Sequence, residues 1–161
     1  MAFFFGLVSL QLVIWLISKV LKNGPFQSFW TAARLALPIM FTQVGIVHIL
    51  KPDSLTYMID SLLPNARLII ILTGIFEVLV PWGLLIPKYR KWTAYVLIGY
   101  LVVIFPANIH VALNGLSAPG GLPSAPWYTW SRLLFQPVYM YWIWRAVINT
   151  RFGCSPAWDA S

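Results

Sequence analysis

An all-α bundle of membrane-crossing helices is the fold class predicted here, and three observations carry it. The 161 residues are 60% hydrophobic and only 9% charged, against about 25% charged in a soluble domain. The apolar residues fall into runs of about 20, the length that crosses a bilayer as a helix. Short segments rich in Lys, Arg, Gly and Pro separate those runs. A helix satisfies its own backbone hydrogen bonds, which lets it cross a lipid interior. This length leaves no room for a separate soluble domain. The net charge of +7 does not imply nucleic acid, because the basic residues are scattered at run ends and not gathered on one face. They read as topology signals and as contacts for the lipid head groups of a bilayer. Most of the nine tryptophans also fall near run ends, as an aromatic belt does.

Residues 3–21 are the first span. With no basic n-region and no A-x-A site, it is not expected to be a cleaved signal. With the turn at Asn23, Gly24 and Pro25 it makes an N-terminal segment, 1–29. The second span, 30–50, repeats Pro38, Thr42, Gly45 and His48 or Ile49 on one face. Lys51-Pro52-Asp53 breaks it. Asp53 is then the expected N-cap of a short interfacial helix at about 54–63. Leu55, Met58, Ile59, Leu62 and Leu63 would form its apolar face, and Pro64 its end. The third and fourth spans are 68–86 and 92–113; an uncharged loop, 114–126, leads to the fifth, 127–148. Spans two to five make a membrane domain, 30–148, and 149–161 is a tail. Cys154, the single cysteine, rules out a disulfide or thiol relay within the chain.

Lys and Arg fix an orientation. Lys19 and Lys22 follow the first span, Lys88, Arg90 and Lys91 the third, Arg145 and Arg151 the fifth. In the alternate loops Lys51 and Arg67 are balanced by Asp53 and Asp60, and 114–126 has no charge. The positive-inside rule then predicts a multi-pass protein of the cell (plasma or inner) membrane, with its N-terminus outside and its C-terminus cytoplasmic.

The stretch Thr73–Gly83, TGIFEVLVPWG, carries the sharpest functional signal. Glu77 sits near the centre of an apolar run, where a carboxyl is costly and usually faces the bundle interior. Pro81 cannot donate to the carbonyl of residue 77. Thr73, Gly74, Glu77 and Pro81 share a face, and the small residues let a neighbouring helix approach. The predicted orientation puts His48, Asn108, His110, Arg132 and Gln136 in the outer half of the bilayer and Glu77 at the bottom of that zone. Each of the four spans that supplies them also contains a proline: Pro38, Pro81, Pro106 or Pro137. The first span has neither feature and is expected to be peripheral. Desolvation disfavours a charged carboxyl. Glu77 is therefore expected to be neutral and to donate a hydrogen bond, with Gln136 and Asn108 as acceptors. Arg132 reads as a head-group anchor rather than a counter-ion. His48, Glu77 and His110 are metal-ligand types, but no ligand spacing supports a metal site and none is predicted.

Gly45-x-x-His48 with Lys51-Pro52-Asp53, Gly74-x-x-Glu77, Gly83-Leu84-Leu85-Ile86-Pro87, Phe105-Pro106-Ala107-Asn108-Ile109-His110 and Arg132-Leu133-Leu134-Phe135-Gln136-Pro137 occur in that order. Together they resemble the DoxX-like family of small bacterial membrane proteins over about 35–148. The resemblance implies a four-helix core with the first span added. It also implies a link to thiosulfate:quinone oxidoreductase or to membrane-associated oxidative-stress complexes; without paired cysteines a thiol-based version does not carry over. Three functions remain open. The preferred one is an accessory or binding subunit that holds a small lipophilic ligand, with a quinone as the candidate, in a polar outer-leaflet pocket formed by His48, Glu77, Asn108, His110, Arg132 and Gln136. Its partners would be membrane or oxidoreductase subunits. The second is a membrane enzyme using Glu77 for acid–base or redox-linked proton transfer. The third is an assembly factor without a ligand.

Overall fold

The computed structural model describes residues 2–22, 25–116 and 126–148. Five helices follow one another: α1 (Ala2–Leu21), α2 (Phe29–Leu50), α3 (Ala66–Leu79), α4 (Arg90–Leu113) and α5 (Pro126–Val147). No strand occurs among the described residues. Among the described residues, four stretches are long and apolar enough to cross a membrane: Phe3–Leu21, Phe29–Leu50, Ala66–Leu85 and Arg90–Leu113. The fifth helix has the length, 22 residues, but Arg132, Gln136 and Arg145 dilute its apolar character. The expected tail with Cys154, and most of the 114–126 loop, lie outside the described residues.

Local chemistry sets the ends of these helices. Ser28 begins α2 with a capping box: its hydroxyl accepts from the Thr31 N–H at 3.1 Å, and the Thr31 hydroxyl accepts from the Ser28 N–H at 3.1 Å. Asn65, in the left-handed region at φ 56°, turns the chain into α3. Pro81 ends α3 as a regular helix. Without its N–H the 13-atom ring cannot close, and the chain tightens into a 3-10 segment, Val80–Leu85.

The interior forms around α2, which packs against α1, α3 and α5. Ala33, Ala36, Leu37, Met40 and Phe41 from α2 meet Leu84, then Ala94, Leu97 and Leu101 from α4, and Ile143, Ala146 and Val147 from α5. The first helix is mostly exposed, yet it is tied in more firmly than its sequence suggested. Leu7 and Gln11 are fully buried. The Gln11 amide donates to the Phe29 carbonyl at 2.8 Å and accepts from the Trp142 indole at 2.7 Å. A buried amide with both ends satisfied docks α1 on α2 and α5.

The expected interfacial helix at 54–63 does not form as an α-helix. Two short 3-10 turns, Pro52–Ser54 and Thr56–Met58, are followed by further turns. Leu55 and Ile59 are buried against Ala66 and Ile70, while Leu62 and Leu63 are exposed. Only the first part of the apolar pattern finds a surface to cover. Asp53 makes no side-chain cap; its carboxylate accepts from Arg67 Nε at 3.0 Å. The pair closes the connection between α2 and α3 in a different way.

Candidate functional site

Two glycines bring the site together. A Cβ built on Gly45 would lie 2.6 Å from the Gly74 carbonyl oxygen, and one on Gly74 would lie 2.8 Å from the Gly45 oxygen. The backbones of α2 and α3 therefore touch at this level, as small residues allow between membrane helices. One turn on from each glycine comes a polar residue, His48 on α2 and Glu77 on α3, and the close crossing sets them face to face. His48 Nδ1 is 2.7 Å from Glu77 Oε2. The contact is short but off-axis, so neither of these buried atoms has an aligned hydrogen bond. Glu77 is 3% exposed, whereas the His48 side chain keeps 20% of its surface outside. Nearer the other end of the same interface, the Trp82 indole donates to the Thr42 hydroxyl at 3.1 Å.

The second carboxyl oxygen of Glu77 accepts from the Tyr100 hydroxyl on α4 at 2.7 Å. The Phe76 ring, centred 4.7 Å from that of Tyr100, holds it from the side. Tyr100–Glu77–His48 is thus a polar chain in which the buried Glu77 lies between two half-buried side chains. At 2.7 Å His48 and Glu77 are close enough to share a proton once one of the two side chains turns into line, and the Tyr100 hydroxyl holds the other carboxyl oxygen.

The expected acceptors of Glu77 lie elsewhere. Asn108 donates to the Gln136 side-chain oxygen at 3.0 Å, Gln136 donates to the Leu101 carbonyl, and Arg132 donates to Asn108 Oδ1 at 3.2 Å. These three form a separate string between α4 and α5. Gln136 is pinned to the Leu101 carbonyl, which draws it away from α3. His110 belongs to neither group. Its Nε2 is 3.0 Å from the Ser61 hydroxyl and its Nδ1 is 3.1 Å from the Asn114 amide, so it fastens the end of α4 to the turns before α3. The expected single cluster of six is therefore three clusters, and His48, Glu77 and His110 do not converge. Arg132, as expected, is not a counter-ion of Glu77. The residue that stands against Glu77 is instead His48.

Sequence reasoning missed Tyr100. A usable signal was present. Membrane tyrosines favour the interfaces, and this one lies mid-run, where a buried hydroxyl needs a partner.

Comparison with known proteins adds one finding. Residues 37–147 match the family described as a domain of unknown function, DUF8561. The match covers most of the chain, which therefore belongs to that family. It starts within α2 and ends with α5, so it includes Gly45, His48, Gly74, Glu77 and Tyr100 and leaves α1 outside. No curated protein and no solved structure matches the chain.

Proposed function

We propose that this protein is a membrane binding subunit that holds a lipophilic hydrogen-bonding ligand of the quinone class at His48. The observation behind the proposal is the placement of His48: its Nδ1 lies 2.7 Å from a buried carboxyl oxygen while its side chain keeps 20% of its surface exposed. A histidine oriented by a carboxylate offers its other ring nitrogen in a defined direction. On a lipid-facing surface the natural complement is an apolar molecule with a carbonyl acceptor. Quinone carbonyls fit that description, and their reduced forms exchange protons with such groups. Electrons would come from a partner oxidoreductase subunit in the same membrane. The DoxX-like resemblance supports this reading, and the Lys and Arg distribution supports a protein of a cell membrane, crossed five times, with the N-terminus outside.

The Tyr100–Glu77–His48 chain favours a second reading, in which Glu77 is the acid–base group of an enzyme. The Gly45–Gly74 contact favours a third, in which the dyad only fastens α2 to α3. Native mass spectrometry of the full chain, purified from its membrane in mild detergent, separates the first two from the third. A co-purifying quinone that is absent from a His48→Ala preparation is the expected result. Retention of the same molecule by His48→Ala would remove His48 as the site, and a wild-type protein carrying no lipophilic ligand, even with quinone added, would leave the structural reading standing.

A further inference from the structure

The string that joins α4 to α5 ends in a charge. Gln136 donates to the Leu101 carbonyl, Asn108 donates to Gln136 Oε1 at 3.0 Å, and Arg132 Nη2 donates to Asn108 Oδ1 at 3.2 Å. All three donors point the same way, so each link polarises the next, and neither amide can turn over without breaking two bonds. One edge of the guanidinium is thereby fixed. Among the described residues the bond to Asn108 is its one hydrogen bond, of the five a fork can donate. Tyr128, Arg132, Gln136 and Tyr139 share a face of α5 by helical spacing. A long side chain on a helix leans back over the preceding turn, which here carries Tyr128. The phenols of Tyr128, Tyr57 and Tyr139 lie close enough to act on the Arg132 charge. Tyr128 is only 7% exposed, yet among the described residues its hydroxyl has no hydrogen-bond partner.

We propose that Arg132 and Tyr128 form a binding site for a phosphate-type oxyanion at the end of the bundle where α5 begins. The site is separate from the His48–Glu77 pair and does not depend on the ligand proposed there. Charge is the first argument. Phenols are neutral near pH 7, and among the described residues no carboxylate stands at Arg132: Asp53 accepts from Arg67, Asp60 is exposed in the turns before α3, and Glu77 faces His48 and Tyr100. A charged side chain within a membrane helix ordinarily meets a counter-charge or marks the place of a ligand. Donor geometry is the second. A planar guanidinium matches the oxygens of a phosphate, and this one is held beforehand by Asn108. The Tyr128 hydroxyl adds a further donor from the turn toward which the fork leans. Position is the third. Arg132 lies six residues past the start of α5, roughly 9 Å along the helix at about 1.5 Å per residue. Trp127 and Trp130, both exposed, mark the membrane boundary just before it. The phosphate of a phospholipid and a free phosphate from the adjoining water both reach that level.

The full chain in neutral detergent supplies the test. Phosphatidylglycerol is titrated in and counted on the protein by native mass spectrometry; inorganic phosphate is titrated separately and read as a shift in thermal unfolding. Three variants accompany the wild type. Arg132→Lys keeps the charge and removes the fork. Tyr128→Phe removes the hydroxyl and leaves the Arg132–Asn108–Gln136 string whole, so it serves even where Arg132→Lys fails to fold. Lys51→Gln removes an exposed charge at the same end of the bundle. One held phosphatidylglycerol, weakened about tenfold by either site variant and little changed by Lys51→Gln, is the expected result. Stabilisation by inorganic phosphate with the same dependence on Arg132 and Tyr128 supports the oxyanion site with a free anion as its source. Binding of neither probe overturns the proposal. So does binding that a folded site variant leaves unchanged, or that Lys51→Gln weakens as much as the site variants do.

Discussion

Gly45 and Gly74 face each other so closely that neither can carry a methyl group: the added carbon would lie 2.6 Å or 2.8 Å from the opposing carbonyl oxygen. This crossing is the reason His48 meets Glu77. Each glycine is three residues before its polar partner, so the distance between the backbones sets the distance between imidazole and carboxyl.

Gly45→Ala and Gly74→Ala should each force α2 and α3 apart. The expected loss is about 1–3 kcal/mol, the usual range for overpacking a tight contact. Gly99 is the control, because a Cβ there meets nothing within 4 Å. Gly99→Ala should be neutral or stabilise by up to about 1 kcal/mol through helix propensity. Thermal unfolding in detergent reads all three. Equal midpoints across the set would mean the two helices do not touch.

The three polar clusters should behave as three energetic units. Asn108→Ala and Gln136→Ala share a hydrogen bond and should be non-additive, with a coupling of about 0.6 kcal/mol, typical for membrane helices. His48→Ala combined with Gln136→Ala shares no partner and should be additive within about 0.5 kcal/mol. Unfolding free energies of the singles and doubles decide this. Strong coupling between His48 and Gln136 would restore the single cluster that the sequence suggested.

Much of this fold was legible. Runs of apolar residues gave the helices to within a few residues, and Pro81 marked the change in α3. What failed had a common cause. The sequence shows which face of a helix a residue is on, but not which neighbour that face meets. Glu77 was correctly turned inward, yet Asn108 and Gln136 were assigned to it on depth alone, while the Gly45–Gly74 crossing hands it His48. The turns at 52–63 failed differently. Leu62 and Leu63 continued a helical pattern, but Leu55 and Ile59, with Met58 half-buried beside them, are the part of it that packs against α3, and a short segment without a partner along its length does not pay for α-helical order. Gln11 gave no signal because one amide in an apolar run does not disclose its partners.

The native cysteine reports on the proposed orientation. Cys154 should react with a membrane-impermeant maleimide only after cells are permeabilised. In a Cys154→Ala background, Ser117→Cys should react in intact cells and Lys91→Cys should not. Labelling of Cys154 in intact cells would invert the orientation, and labelling of Ser117→Cys and Lys91→Cys on the same side would remove a crossing between them.

The most direct test of the His48 site is the carbonyl stretch of a short-chain ubiquinone bound to the full chain in lipid nanodiscs, measured by isotope-edited infrared difference spectroscopy. A hydrogen bond from His48 should lower one carbonyl band in the wild-type protein. That shift should vanish in His48→Ala, and Tyr100→Phe, which loosens the carboxyl behind the imidazole, should weaken binding while leaving a shifted band. Circular dichroism establishes that both variants remain helical. An identical shifted band in wild type and His48→Ala would contradict the assignment of His48 as the ligand's partner.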